Sequence, residues 1–452
     1  MNKNIRENRV LNKEYFKLGI GFILSALTTP LLSSVDTAVV GSLSNPVYIG
    51  GVALGGTIFN TIYWILGFLR VSTSGYSAKA YGLKNEEEEV FSLIRPTIVS
   101  ISMGVLFLIF QNPILKMAVY FYKSGDEISH YMSIYYNILI CGAPFVLLNY
   151  TFLGWIMGRK QLKECLFLQL ATNIINIILD LCFVKILNMD VAGVAYATLI
   201  SQILTTCISL LIILRGKKKE TFNIRKSVKN ISFKKLMEKK ALKEIAMVNL
   251  DLVIRTICML TMTNLFVEKG SVNGEIVLAA NSLLFQIQYL MAAFFDGFGN
   301  ASSVFIGNAI GERKKKKVRW VITKSYKICA IISLFLCIVF YFFGNNIIQI
   351  YSNNHDVIST AKKYSIWILI YSLVINGGLV LFGLFTGATY TKPIRNSVLQ
   401  ATIIFLISYF TIIPLWGNHG LWLSFILFSL GRTIFLFLYI PKLKEKINNE
   451  IE

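Results

Sequence analysis

The hydrophobic residues of this chain fall into long continuous blocks rather than into short alternating runs. Each block covers roughly 20–30 residues, which at a helical rise of about 1.5 Å per residue is enough to cross a hydrocarbon layer about 30 Å thick. The strands of a membrane barrel would instead alternate in hydrophobicity over about ten residues. The pattern therefore predicts an all-α membrane protein with twelve transmembrane helices, near 15–41, 48–77, 92–118, 130–157, 163–187, 191–214, 243–267, 276–308, 318–345, 358–387, 396–415 and 418–440.

Composition and charge support this class. Of the 452 residues, 55% are hydrophobic and only 15% are charged, whereas soluble proteins are about 25% charged. The net charge of +21 does not indicate nucleic acid as a partner, because the basic residues concentrate in loops between apolar blocks, above all 215–240 and 311–319. Such loops favour the cytoplasmic side and attract anionic lipid. We expect a multi-pass protein of the inner (plasma) membrane with both termini in the cytoplasm.

Glycines at the ends of the predicted helices recur at a constant offset along the chain. The offset is about 229 residues for three pairs and about 227 for a fourth: Gly82 and Gly311, Gly154 and Gly383, Gly158 and Gly387, Gly193 and Gly420. This repeat predicts a duplication, with an N-terminal six-helix lobe at 1–214, a basic cytoplasmic linker at 215–242 and a C-terminal six-helix lobe at 243–452. Two pseudo-symmetric lobes around a central cavity are typical of transporters.

Two acids lie at similar depth near the outer ends of predicted helices in the first half. Asp36 is near the outer end of the first helix. In the fifth helix, Asn173, Asn176 and Asp180 follow one another at spacings of three and four, on one helical face. Thr198 is level with them in the sixth helix. A charged acid at this depth costs a few kcal/mol, and burial beside a second carboxylate favours the protonated form. The group could hold a proton, or its oxygens could bind Na⁺, or it could only hydrogen-bond helices together.

Four residues of the first half are candidates for supporting roles. Tyr135 and Asn149 of the fourth predicted helix and Asn173 of the fifth would lie near the acids and contact substrate or ligand groups, although polar residues in helix bundles also serve simply to join helices. Pro30, six residues before Asp36, removes one backbone hydrogen bond from the helix and allows a kink. Such a kink would either move Asp36 or be static.

A second polar layer lies closer to the cytoplasmic side. It consists of Arg70, Asp251, Arg255 and Asp296, two cations and two anions. Isolated charges are rare inside membranes, so we expect these four to pair. Asp251 and Arg255 are four residues apart on one helix, and Arg70 could meet Asp296 across the two halves. The layer is either an inner gate or a permanent structural network.

Motifs for catalysis or nucleotide hydrolysis are absent from the sequence. It contains no P-loop, GxSxG, HExxH or CxxC pattern, and its seven cysteines are scattered through apolar segments where they pack as small residues. We therefore expect neither an enzyme nor an ATP-driven pump. No cofactor is predicted besides the coupling ion, and no metal other than Na⁺. We expect a monomer.

Several segments resemble one transporter family. The stretch "PLLSSVDTAVVGSLSNPVYIGGVALGG", followed by "FLRVSTSGYSAKAYG", is similar to the multidrug and toxic compound extrusion (MATE) family, and most of all to its DNA-damage-inducible, DinF-type branch. The segments "VNLDLVIRT" and "DGFGNASSVFIGNAIG" resemble the same branch. The resemblance implies a twelve-helix antiporter that alternates access between the two sides and exports organic, often cationic, compounds.

The resemblance also implies roles for individual residues. The family's ion-coupling acid corresponds to Asp36, the branch's other coupling residues to Asn176, Asp180 and Thr198, and a family tyrosine to Tyr135 by spacing alone. Where the branch often has an acid after "DGF", this chain has Ser303, which favours a coupling site in the N-terminal half.

The predicted function is export of amphipathic, cationic organic compounds in exchange for protons, since two carboxylates at one site favour a shared proton. The alternatives are a Na⁺-coupled exporter and a flippase of lipid-linked precursors.

Overall fold

A computed structural model of the chain describes residues 2–41, 46–122, 125–216, 224, 227 and 232–452, leaving out the side chains of residues 2–8, 28–38, 40, 46, 233 and 376. Every regular element in these ranges is helical, and one π-helical turn, Leu181–Ile186, follows α8. The α-helices are α1 Asn2–Gly41, α2 Pro46–Leu66, α3 Phe68–Leu83, α4 Glu86–Ile109, α5 Gln111–Tyr122, α6 Asp126–Ile140, α7 Ala143–Gly158, α8 Leu162–Asp180, α9 Asp190–Arg215, α10 Phe233–Leu236, α11 Lys239–Val272, α12 Glu275–Gly311, α13 Lys315–Tyr351, α14 His355–Tyr364, α15 Ile366–Gly387, α16 Lys392–Thr411, α17 Ile413–Phe437 and α18 Ile440–Ile451.

Each predicted span coincides with one long helix or with two helices separated by a short break. The span near 130–157, for example, is formed by α6 and α7, which are bent by 51° relative to each other. By length and apolarity alone, nine helices among the described residues could cross a membrane, or ten if the bent pair is counted as one span. The prediction of an all-α membrane protein is confirmed.

Helix starts follow from local capping. The side chain of Asn85 accepts hydrogen bonds from the backbone N–H groups of Glu87 and Glu88 at 3.0 and 3.3 Å, and so caps α4. The four glutamates that open this helix stand where the helix dipole favours negative charge. Asn354 caps α14 in the same way. The acidic run 86–89 thus helps to define where a membrane helix begins.

The described chain divides into two compact units. The N-terminal unit comprises residues 27–245, and the C-terminal unit comprises residues 246–452 together with residues 1–26. The start of α1 is held in the C-terminal unit by Tyr15, which is fully buried and whose hydroxyl lies 2.6 Å from the Ser302 hydroxyl and 3.1 Å from that of Ser325. The lobe boundaries 1–214 and 243–452 stay a prediction.

The repeated glycines mark the same helix contact in each unit. In the N-terminal unit, Gly154 of α7 lies against the backbone carbonyl of Arg70 in α3. In the C-terminal unit, Gly383 of α15 lies against the carbonyl of Gly299 in α12. Arg70 and Gly299 are separated by the same offset, about 229 residues, as the two glycines. A Cβ atom at either glycine would overlap a carbonyl oxygen, so these helices can approach this closely only because glycine has no side chain. One turn further along, two more contacts repeat the pattern: Gly158 with Ser74, and Gly387 with Ser303.

Candidate functional site

Helix α8 presents a polar face to the interior of the N-terminal unit. The side chains of Asn176 and Asp180 are 3% and 1% exposed. Ile174 and Ile178, each two residues before one of them, point away from the unit and are 55% and 59% exposed. The amide and the carboxyl group are thus turned away from the surface that would meet lipid. Asn173, one turn before Asn176, is half-buried.

The helix changes its geometry directly after Asp180. Residues Leu181–Ile186 form a π-helical turn, in which the N–H of Leu187 bonds to the carbonyl of Cys182, five residues earlier, at 3.0 Å. Gly193 of α9 packs against Phe183 of this turn. π-Helical turns are rare in proteins, and those that occur are often found at functional sites. No residue in the sequence of this segment distinguishes a π-turn from an α-turn, so it could not be predicted.

Thr198 lies half-buried on α9, the helix that packs beside α8. Its hydroxyl donates to the carbonyl of Val194 at 3.1 Å, which uses the O–H and leaves the oxygen lone pairs able to accept a hydrogen bond or bind a cation. Deeper along the same pair of helices, the hydroxyls of Thr172 and Thr205 lie 2.9 Å apart. The contact between α8 and α9 is therefore lined with hydroxyl groups.

Asn149 and Tyr135 have different surroundings. The Asn149 amide donates to the carbonyl and side-chain oxygens of Gln202 at 3.1 and 2.9 Å, and accepts from the Thr206 hydroxyl at 3.1 Å. These bonds join α7 to α9, so Asn149 has the contacts of a structural link. Tyr135 is buried against Gly55 of α2. The roles predicted for both residues stay predictions.

Asp36 and Pro30 lie within α1, and their side chains fall outside the described residues. The backbone assigns both positions to a continuous helix, Asn2–Gly41. Asp36 belongs by sequence position to the N-terminal unit, as Asp180 does. The pairing of these two acids and the kink at Pro30 stay predictions.

The buried carboxylate of Asp251 does not pair with Arg255, the neighbour expected from helical spacing. It accepts from Arg395 Nη1 at 2.9 Å and from the hydroxyl of Thr391 at 2.8 Å, at the start of α16. Nothing in the local sequence around Arg395 marks it as the partner of Asp251. Pairing across 144 residues is set by helix packing, which local spacing does not reveal.

Arg255 instead lies among the side chains of the C-terminal unit. Its guanidinium group stacks over the Phe382 ring, 4.1 Å from the centroid, and lies within electrostatic range of Asp296 and Arg432. Sequence reasoning missed Arg432, although a charge inside the apolar run "SFILFSLGRTIFLFLY" was a visible signal. Arg70 belongs to the N-terminal unit and Asp296 to the C-terminal unit. Their pairing, and the inner gate, stay predictions.

A buried ion pair between the start of α4 and the end of α7 was also missed. Glu89 and Arg159, which are 6% and 4% exposed, form a salt bridge. The Arg159 guanidinium stacks on the ring of Trp155, whose indole N–H donates to the Glu89 carbonyl at 3.1 Å. Arg159 directly follows α7 in the basic stretch "RKQLK", and nothing in that stretch predicts a buried charge. Arg159 is buried because the start of α4, which carries Glu89, packs against it.

Comparison with known proteins identifies the family. The family model MatE matches residues 22–182 and 252–415, which is more than half of the chain, with one match in each half. The chain belongs to the MATE family. Among its relatives, DNA damage-inducible protein F of Escherichia coli (strain K12) is 31% identical over 430 residues, covering 94% of this chain and 91% of the relative. Human multidrug and toxin extrusion protein 1 is 22% identical over 433 residues, covering 92% of this chain and 72% of the relative.

Solved MATE structures share the fold. A MATE crystal structure in the bent conformation superposes with a TM-score of 0.84 at 20% identity, covering 97% of both chains. The straight conformation gives a TM-score of 0.81 at the same identity and coverage. These matches confirm the predicted MATE fold with its twelve transmembrane helices. This MATE protein is therefore a multi-pass membrane transporter of the multidrug and toxin extrusion type, and not an enzyme.

Proposed function

We propose that this MATE protein is a secondary antiporter that exports amphipathic, cationic organic compounds in exchange for protons. The observation that carries the proposal is the burial of the Asp180 carboxyl, 1% exposed, beside Asn176 on the interior face of α8. We place the protein in the inner (plasma) membrane, as a monomer with both termini in the cytoplasm. The coupling residues of the proposal are Asp36, Asn176, Asp180 and Thr198.

The physical argument is a competition for one negative site. A carboxylate at this depth is stable when protonated, hydrated or paired with a cation, and costs a few kcal/mol otherwise. A proton taken up from the outside neutralises the acids and weakens the binding of a cationic substrate, which then leaves outward. Return of the proton to the cytoplasm restores the negative charge. Two interacting acids titrate as a pair, which lets one site alternate between cargo and proton.

The relatives support the substrate class. The chain is similar to proteins described as probable multidrug resistance proteins in Bacillus subtilis (strain 168) and Photorhabdus laumondii. We infer from this likeness that the cargo consists of small organic molecules. The cationic class is inferred from the acids of the N-terminal unit.

The test uses purified protein in sealed proteoliposomes. Export of ethidium against its gradient is measured under an imposed pH gradient without Na⁺, and under an imposed Na⁺ gradient with the pH clamped. We expect the pH gradient alone to drive export, and Asp36→Asn to abolish it. Asp126→Asn is the matched control, because Asp126 is an exposed acid at the start of α6. Export driven by the Na⁺ gradient alone would replace the proton by Na⁺ as coupling ion.

Flipping of lipid-linked precursors is the second candidate function. It is favoured by one observation, the presence of Arg255 and Arg432 inside the C-terminal unit, since such precursors carry phosphate groups. A reconstituted protein that moves a fluorescent lipid diphosphate between leaflets, but leaves ethidium gradients unchanged, would support the flippase against the exporter.

A further inference from the structure

Two arginines approach each other inside the C-terminal unit. Arg255 of α11 and Arg432 of α17 lie within electrostatic range, so their like charges repel. Arg432 is only 6% exposed and Arg255 is half-buried. Burying two guanidinium groups together is unfavourable unless anions or hydrogen-bond acceptors compensate them. Compensation has to come from anions or hydrogen-bond acceptors close to these two side chains.

The acceptors within reach are weak. Arg432 Nη1 contacts the Met259 thioether sulfur at 3.1 Å, and thioethers are poor acceptors. Its Nε is buried and has no hydrogen-bond partner in the described part of the chain. Arg255 rests on the face of the Phe382 ring. Among the described residues, neither Arg255 nor Arg432 takes part in a salt bridge.

The local charges do not balance. Asp296 lies within electrostatic range of both arginines and supplies one negative charge. Tyr371, which is hydrogen-bonded to Gln288, lies within range of Arg432 but is neutral when protonated. One positive charge is therefore left over in this cluster. A monoanion from outside the described residues would neutralise it.

The cluster has room for one atom of such an anion. A void of about 10 Å³ is lined by both arginines and otherwise mainly by apolar side chains, among them Leu379, Phe382 and Val398. Gly378 leaves space beside Arg432, since a Cβ atom there would stand 3.6 Å from its Nε. A void of this size holds one water molecule or one acid oxygen. The surrounding apolar surface suits a ligand with a hydrophobic body.

We propose that Arg255 and Arg432 form an anion site, which takes the carboxylate, sulfonate or phosphate group of an amphipathic molecule. One oxygen of such a group would enter the void, where guanidinium N–H groups can donate charge-assisted hydrogen bonds to it. The ligand is either a soluble organic acid or the phosphate of a membrane lipid. This site is separate from the proton-coupling residues, and its test measures binding rather than transport.

The test compares three probes of the same shape and different charge: benzoate, benzamide and benzamidinium. Their binding to detergent-purified protein is measured by titration calorimetry. We expect benzoate to bind about tenfold or more tighter than the other two, because it makes charge-assisted hydrogen bonds. Arg432→Gln and Arg255→Gln should each reduce benzoate affinity to that of benzamide. Arg319→Gln, an exposed arginine of α13, is the matched control and should change nothing.

Equal binding of benzoate and benzamide by the unaltered protein overturns the proposal without reference to any variant, and so does a benzoate preference that survives both substitutions. Repeating the titration in bilayer discs distinguishes the two sources of the anion. If discs of phosphatidylglycerol suppress benzoate binding, the natural occupant is a lipid phosphate. If binding persists in these discs, the occupant is a soluble acid.

Discussion

In the N-terminal unit, α8 buries the amide of Asn176 and the carboxyl group of Asp180. About 229 residues later, at the offset of the glycine repeat, α16 of the C-terminal unit has Phe405 and Tyr409, whose rings lie 5.9 Å apart. Phe405 is fully buried in an aromatic cluster with Phe428. The same helix of the repeat therefore carries acid chemistry in one unit and apolar packing in the other.

At another pair of equivalent positions, the charged residue lies in the C-terminal unit and the neutral one in the N-terminal unit. Arg432 of α17 stands about 227 residues after Thr205 of α9, the offset that relates Gly193 to Gly420. Thr205 forms a neutral hydrogen bond with Thr172. The duplicated halves thus keep the same helix contacts at their glycines, while these equivalent interior positions differ: Asp180 corresponds to Tyr409, and Thr205 corresponds to Arg432. This difference is the basis of both proposals: proton coupling in the N-terminal unit, and binding of a different chemical group, an anion, in the C-terminal unit.

The largest effect is expected for the acid itself. Asp180→Asn should abolish uphill export, because an amide cannot exchange a proton near neutral pH. Tyr409→Phe, at the equivalent position of the other unit, should leave export unchanged. Ethidium efflux from everted vesicles under an imposed pH gradient measures both. If the two variants are equally impaired, the functional difference between the units is wrong.

The next effect concerns the buried ion pair between the start of α4 and the end of α7, and its influence on the stability of the protein. Arg159→Ala should lower the stability of the protein by about 3–5 kcal/mol, since it leaves the buried Glu89 without its cation. The C-terminal unit has Val318 and Ala388 at the equivalent positions, both buried and apolar. Thermal unfolding in detergent, followed by tryptophan fluorescence, measures the change.

The double variant Glu89→Val with Arg159→Ala copies the apolar pair of the other unit and provides the control. It should regain part of the lost stability, because removing both charges leaves no uncompensated ion. A double variant that is less stable than Arg159→Ala alone would show that an apolar pair, as found at Val318 and Ala388, cannot replace the ion pair in the N-terminal unit.

The third effect tests a polar cluster that only the C-terminal unit has. Asn281 exchanges hydrogen bonds with Asn418 at 2.8 and 3.0 Å and accepts from the Trp422 indole at 2.9 Å. The equivalent residues of the N-terminal unit are apolar: Val52, Val191 and Ala195. Asn281→Val should cost about 1–3 kcal/mol, because it leaves two buried donors unsatisfied. In the Asn281→Val variant, a second substitution, Asn418→Val, should lower the free energy of unfolding by less than it does in the unaltered protein. Thermal unfolding of the two single variants and the double variant measures this difference, and strict additivity would contradict the coupling.

The smallest effect is expected at the turn between α12 and α13. Burial opposes ionisation of Glu312, but hydrogen bonds from Lys317 and Lys314 at 2.6 and 3.0 Å outweigh it and hold the pKa of this carboxyl below its ordinary 4.5. A lowered pKa stabilises the fold at neutral pH, and the benefit disappears as the pH falls through the lowered value. Leu83 occupies the equivalent position of the N-terminal unit.

Glu312→Gln should therefore lower the melting temperature slightly at pH 7, by an amount equivalent to about 1 kcal/mol or less. The difference between variant and unaltered protein should vanish in acid. Melting curves from pH 7 to pH 3 measure this trend, and a difference that stays constant over the range would rule out the ion pairs as its origin.

Hydropathy and periodicity predicted the features that depend on local sequence. The helix positions and the inward face of Asn176 and Asp180 follow from the spacing of residues along one helix, and the glycine repeat follows from a constant offset between the two halves of the sequence. The close contacts of Gly154 and Gly383 show that the repeat is a packing device rather than a coincidence.

Features that depend on partners distant in sequence could not be predicted. The carboxylate of Asp251 pairs with Arg395 and not with Arg255, and residues 1–26 join the C-terminal unit through Tyr15. Both depend on which helices pack together, and hydropathy is the same for either choice. The π-turn after Asp180 is likewise invisible in the sequence, since its residues suit an α-helix equally well.

The most direct test of the account is proton release on substrate binding. Tetraphenylphosphonium, a cation without exchangeable protons, is added to purified protein in weakly buffered detergent solution, and a pH-sensitive dye reports released protons. The account predicts proton release by the unaltered protein and by Asp126→Asn, and none by the double variant Asp36→Asn with Asp180→Asn. Tight binding of the cation to the unaltered protein without any proton release would contradict the claim that cargo and proton compete for these acids.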